Sequence, residues 1–155
     1  MCKAIYFDMD GTIADLYGYE NWLSMLQAEN TTPYEDCSCL VDFVELRDVL
    51  NKFIAAGVTI GVISWSAMGG SKEYNRRTRK AKKDWCDIYF PDIFSEFHVV
   101  KYDTPKHHVR KIKDSILVDD NAAVRQAWKG ETIDATKDII LALKELLERL
   151  ESYAN

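Results

Sequence analysis

The sequence has no apolar run approaching the ~20 residues that a membrane-spanning helix needs, so no membrane partner is expected. Its opening runs from Met1-Cys2-Lys3 straight into Ala4-Ile5-Tyr6-Phe7, an apolar segment far too short for a secretory leader. A cytoplasmic location is the expectation. The four cysteines, Cys2, Cys37, Cys39 and Cys86, form no pair of CxxC knuckles, which argues against structural zinc and fits reduced thiols. There is no internal repeat and no low-complexity tract. The stretch SAMGGSK at 66–72 has a phosphate loop's glycines without its GxxxxGK[ST] spacing, and reads as a loop able to adjust beside a site. A net charge of -5 excludes attraction of nucleic acid to the whole surface, leaving only a local basic patch.

What is present fits one domain. The 155 residues can bury a single sizeable core, and 47% apolar with 29% charged residues is ordinary for a globular chain. Short β-type runs alternate with amphipathic helical runs. Strands are expected at 4–7, 58–63, 97–100, 116–118 and, more weakly, 131–134; the second and fourth lack polar alternation, as strands covered on both faces should. Phe43, Leu46, Leu50, Phe53 and Ile54 recur at helical spacing, with Gly57 as the stop. Tyr74, Thr78, Ala81 and Trp85 line a second helix, and Ile139, Leu143, Leu146, Leu147 and Leu150 a last one. That last stripe spans barely two heptads, so it reads as core rather than as a dimer seam.

This alternation predicts an α/β fold: a Rossmann-like three-layer sandwich with a mainly parallel five-stranded sheet. Ligands in such sheets bind beyond the carboxyl ends of the strands. Polar chemistry gathers at four of those ends. YFDMDGT puts Asp8 and Asp10 after the first strand, Ser64 ends the second, Lys106 lies a little past the third, and Asp119-Asp120 follow the fourth. Carboxylates collected at one sheet edge repel one another unless a cation neutralises them. With only oxygen donors in either acidic pair, a hard cation such as Mg²⁺ is expected. A lysine and a serine hydroxyl would add donors for a phosphoryl group. One carboxylate could attack phosphorus while its neighbour handles protons. Phosphoryl transfer is the chemistry the pattern suits.

FDMDGT, Ser64, Lys106 and LVDDN, in that order, resemble the four motifs of the haloacid dehalogenase-like phosphohydrolase superfamily, across essentially the whole chain. The resemblance implies Asp8 as nucleophile, forming a phospho-aspartate, and Asp10 as general acid and then base. It implies Mg²⁺ held by the Asp8 carboxylate, the Asp10 carbonyl and Asp120, with Asp119 orienting a metal-bound water. Ser64 would bind the transferring phosphoryl group, and Lys106 would neutralise its charge. Thr12 would brace the loop, while Gly11 permits the turn. Ser66 rivals Ser64 as the phosphate donor, and Lys101 rivals Lys106; Ser64 is preferred because it follows Val62-Ile63 directly, and Lys106 because it opens a short helix after Thr104-Pro105.

Specificity in that superfamily is generally set by cap insertions. Here only a small one is expected, about 15–41, with a helix around 20–29 whose Trp22, Leu23 and Leu26 could touch substrate or simply pack. An open site suits a nucleotide or nucleic-acid end, and DMDGTIADLYG with LVDDN also resembles the deoxyribonucleotidase branch. The basic run KEYNRRTRKAKK at 72–83 reads as a solvated helix face, or as a polyanion contact with Trp65 and Tyr74 stacking on bases. His107 and His108 read as surface residues. A Mg²⁺-dependent phosphatase acting on a phosphate monoester is the expectation. A non-catalytic phosphate-binding module and a phosphotransferase acting on a small metabolite are the alternatives.

Overall fold

The computed structural model describes residues 1–155. Five strands, β1 (Ala4–Phe7), β2 (Thr59–Trp65), β3 (Glu96–Val100), β4 (Ser115–Asp119) and β5 (Thr132–Asp134), form one sheet in the order β3-β2-β1-β4-β5. Every pairing is parallel, so the sheet is wholly rather than mainly parallel. The strand order reverses about β1, with β2 on one side of it and β4 on the other. The carboxyl end of β1 is therefore the crevice where open α/β sheets bind ligands.

Alternation along the strands sorts side chains onto two faces. Ile5 and Phe7 of β1 join Ile60, Val62, Ile116 and Val118 in the larger core, against α3 (Phe43–Ala55), α7 (Ile139–Ala154) and the end of α4 (Lys72–Tyr89). Ala4 and Tyr6 face the other way, with Ile63, Leu117 and Trp128, near α5 (Lys106–Val109) and α6 (Ala122–Ala127). Helices thus cover both faces, which is why the central strands carry almost no polar alternation. The Tyr6 hydroxyl accepts from the Lys111 and Ile112 amides at 3.2 and 3.1 Å, so its polar tip is satisfied under that layer.

Local chemistry starts and stops the helices where the sequence suggests. Asp42 caps α3 by accepting from the Val44 and Glu45 amides, and Gly57, at φ 86°, follows its C-terminus. Ile139, Leu143, Leu146 and Leu147 are buried, so the stripe of α7 is core packing. No helix is long and apolar enough to cross a membrane.

Between β1 and α3 lie two short helices, α1 (Trp22–Gln27) and α2 (Thr32–Asp36). The first is shorter than the expected 20–29 because Asn21 and Glu29, both at positive φ, bound it. Leu16, Leu26 and Tyr34 pack here against Tyr74 and Ala81 of α4. The connection is pinned at its turn: Glu29 accepts from the Ser71 amide and hydroxyl at 2.9 and 2.7 Å, and the Tyr74 hydroxyl donates to the Asn30 carbonyl at 2.9 Å.

Candidate active site

The loop after β1 carries the first acidic pair. The Thr12, Ile13 and Ala14 amides all donate to the Met9 carbonyl, winding the chain tightly just past Asp8. Gly11 sits at φ 78°, and a Cβ there would come within 2.5 Å of Asp120 Oδ2 and 2.7 Å of the Tyr17 ring. Glycine is required at this point for its backbone angle and for the close approach of the second acidic pair.

Asp8, Asp119 and Asp120 each offer an oxygen, and these oxygens all lie within 4.8 Å of one another. Lys106 Nζ bridges two of the three, donating to Asp8 Oδ1 at 2.8 Å and Asp119 Oδ2 at 2.7 Å. Burial alone would pull the Lys106 pKa down, but Asp8 and Asp119 outweigh it and hold it above the ordinary value. The Thr12 hydroxyl stands 3.2 Å from both Asp8 Oδ2 and Asp120 Oδ1, and accepts from the Asp120 amide at 3.2 Å. Thr12 therefore ties the β1 loop to the end of β4.

The two acids at the end of β4 differ. Asp119 is only 1% exposed, with Oδ2 taken by Lys106 and Oδ1 by the Asn121 amide at 2.9 Å. Asp120 Oδ2 makes no hydrogen bond within the protein, so Asp120 has an oxygen to offer that Asp119 lacks. Burial, then repulsion from Asp8, pushes the Asp120 carboxyl up to about 7. Asp119 is raised for the same reasons, against the pull of Lys106.

Asp10 is paired differently. Its Oδ2 accepts from Lys82 Nζ at 2.8 Å, and its side chain remains 16% exposed. Burial raises the Asp10 pKa despite the Lys82 charge, and Asp8 adds to the rise. Lys82 is the residue that the sequence reading missed. The basic run reads from the sequence as a solvated face or a polyanion contact, yet Lys82 is only 1% exposed. Four of its other cations are engaged locally: Arg76 with Glu73, Lys80 with Asp84, Lys83 with Asp87, and Arg77 with the Glu29 carbonyl. The signal was present. Lys82 stands four residues past Thr78 and three before Trp85, on the buried stripe itself.

Of the remaining candidates, Ser64 is buried, and its Oγ accepts from Lys82 Nζ at 2.8 Å. Its rival Ser66 is also buried and stands on the wall of the cavity above the carboxylates. Lys101 is exposed and makes no contact with the acids, unlike Lys106. Trp65 lines the cavity, donates Nε1–H to the Thr104 carbonyl at 2.8 Å and carries Lys106 Nζ 5.4 Å from its ring centre. Tyr74 is wholly buried with its hydroxyl committed to Asn30, so it is not open to a base. His108 is exposed, as expected, and His107 is partly covered.

The cavity, of about 320 Å³, opens over Asp8, Asp10, Asp120 and Lys106. Its rim is apolar. Tyr17, Leu23, Met68 and Tyr102 are each between 43% and 75% exposed, and all four lie on its wall beside Trp22 and Trp65. Exposed apolar groups gathered at one mouth mark a binding surface.

No protein-family model matches this sequence, and no curated protein matches it. Among solved structures the likeness found is one of fold. The D,D-heptose 1,7-bisphosphate phosphatase from Burkholderia thailandensis superposes with a TM-score of 0.50 at 15% identity, covering 81% of this chain and 70% of that one. At that identity the likeness speaks to the fold.

Proposed function

We propose that this protein is a Mg²⁺-dependent phosphatase of the haloacid dehalogenase-like superfamily, hydrolysing a phosphate monoester through an aspartyl-phosphate. The observation that carries the reading is the lysine bridge: Lys106 Nζ bonded to both Asp8 and Asp119, beside Asp120, at the strand-order reversal. An ordinary turn has no use for a buried cation gripping carboxylates from two strands.

The residues suit a divalent cation. With Asp10 protonated as the proposed acid, ionised Asp8, Asp119 and Asp120 bring three negative charges and Lys82 and Lys106 two positive ones, so a negative charge is left over. Oxygen donors alone, with one free oxygen on Asp120, fit Mg²⁺ better than zinc. Asp8, Asp120 and the Asp10 carbonyl would hold it, with Asp119 fixed beside them by Lys106. When bound, it supplies positive charge against the phosphoryl oxygens.

In the proposed reaction the Asp8 carboxylate attacks phosphorus, and the bond from phosphorus to the leaving oxygen breaks. Asp10 gives that oxygen its proton. The same carboxylate, now ionised, takes a proton from water, which attacks the phospho-aspartate and releases phosphate with Asp8 restored. Lys106 sits where it offsets charge on Asp8 and on the incoming group. A hydroxyl from Ser64 or Ser66 completes the phosphate contacts.

The apolar rim favours an ester whose leaving group presents a flat or apolar surface. A nucleotide or nucleic-acid end fits it, with Trp65 and the exposed Tyr17 and Tyr102 as faces for a base. The segment about 15–41 then serves as the small cap. The fold comparison does not single out the deoxyribonucleotidase branch, and the substrate class rests on the rim alone. The test is phosphate release, with and without Mg²⁺, across mononucleotides, phosphorylated oligonucleotides and sugar phosphates. Release without any need for a divalent cation, or no release from any ester, overturns the proposal.

A further inference from the structure

Lys82 is a second buried ammonium, paired with Asp10 and with neither of the acids that Lys106 holds. A lysine head has three protons and no acceptor. Here all three are used: Nζ stands 2.8 Å from Asp10 Oδ2, 2.8 Å from Ser64 Oγ and 2.8 Å from the Trp65 carbonyl. The Tyr34 ring, from the connection after β1, lies 4.8 Å from the same Nζ and closes its remaining side. One cation thus joins the loop after β1, the end of β2 and the helix α4.

Two consequences follow from which atoms are donors. Only Oδ2 of Asp10 is held, so Oδ1 is left without a partner inside the protein while the carboxylate is fixed in one orientation. Ser64 Oγ accepts from Lys82 and its own proton is left to donate elsewhere, so the hydroxyl is set as a donor. Lys106 does neither, because its protons go to Asp8 and Asp119.

Resting on the proposed phosphatase reading, we infer that Lys82 is a positioning residue for proton transfer, locking the Asp10 carboxylate to the end of β2 so that its free oxygen meets the leaving group. It acts through Asp10 and touches no reacting atom. Burying an ammonium is costly, and the cost is offset only because all three partners are in place.

The test separates proton delivery from everything else. A 4-nitrophenolate departs readily without a proton, whereas an alkoxide needs one, and kcat/KM reports only the steps up to formation of the phospho-aspartate. Wild type, Lys82→Met, Lys82→Gln and Lys82→Arg are compared on 4-nitrophenyl phosphate and on a simple alkyl phosphate, with thermal unfolding of each protein measured alongside. In the folded variants lacking the charge, kcat/KM for the alkyl ester is expected to fall at least about ten-fold further than for the nitrophenyl ester. Equal losses on both esters, or no loss, overturn the inference. If none of the three variants folds, Lys82 belongs to stability alone and the inference fails. A wild-type protein that hydrolyses neither ester with Mg²⁺ present overturns the phosphatase reading and this one with it, an outcome distinct from an active enzyme with no selective loss.

Discussion

Gly11 and Asp120 are separated by 108 residues of chain... yet a single methyl group on residue 11 would come within 2.5 Å of Asp120 Oδ2. The left-handed φ of 78° at Gly11 compounds the crowding. Gly11→Ala is expected to cost about 1–3 kcal/mol of stability from backbone strain alone. Displacing Asp120 should also weaken Mg²⁺ binding. Thermal unfolding, run with and without the ion, checks both, and an unchanged response to Mg²⁺ would count against Asp120 as a ligand.

The proposed nucleophile makes a sharper prediction. Asp8→Asn keeps the shape of the side chain but removes its charge, so turnover of any phosphate ester should drop to background. Mass spectrometry of wild type quenched in acid during turnover should show phosphate added to the peptide containing Asp8. Undiminished hydrolysis by the variant would remove Asp8 from that role.

Acidity and the metal are linked through Asp120. Its carboxyl is pushed up to about 7 in the folded, metal-free protein, whereas an unfolded chain's aspartate titrates near about 3.9. Between about pH 4 and pH 7 the folded state therefore binds more protons than the unfolded state. For this group the sign is that metal-free stability falls as pH rises through that window. A divalent cation replaces the lost protons, so the rise in Tm caused by Mg²⁺ should be larger at about pH 7.5 than at about pH 5. Equal shifts at the two values would contradict it.

The rim can be tested away from the chemistry. Tyr102 is 43% exposed and packs edge-on against Trp65, with ring centres 5.1 Å apart. Tyr102→Ala should leave stability within about 0.5 kcal/mol. It should raise KM for a nucleotide several-fold, since a stacked base contributes about 1–3 kcal/mol, while leaving a small alkyl phosphate nearly unaffected. A uniform change in KM across both esters would argue against the rim as the specificity surface.

Much of this architecture can be read from the sequence because the physics involved is local. The apolar β1 ending in Asp8, the cap at Asp42 and the stop at Gly57 depend on neighbours a few residues away, and the alternation of strands and helices follows from them. The preference for Lys106 over Lys101 rests in the same way on the Thr104-Pro105 turn before it, and the structure puts Lys106, not Lys101, on the acids. Lys82 is another matter. Its charge matches that of the run around it, and only its place on the stripe through Thr78 and Trp85 sets it apart. What it binds lies in the loop after β1 and on β2, contacts made by tertiary packing that no window along the chain contains. Tyr74 misleads in the opposite sense, since an aromatic beside a basic run resembles a stacking platform until Asn30 is found closing over its hydroxyl.

The helix α4 holds the turn at Glu29 and Asn30 with its first residues and the Asp10 carboxylate with Lys82, about 12 Å further along at 1.5 Å per residue. A stiff rod fastened at both places makes that turn and the proposed proton donor parts of one lever. If the proposed reaction holds, retuning the entrance for a different ester would be felt at that donor, coupling choice of substrate to speed of turnover.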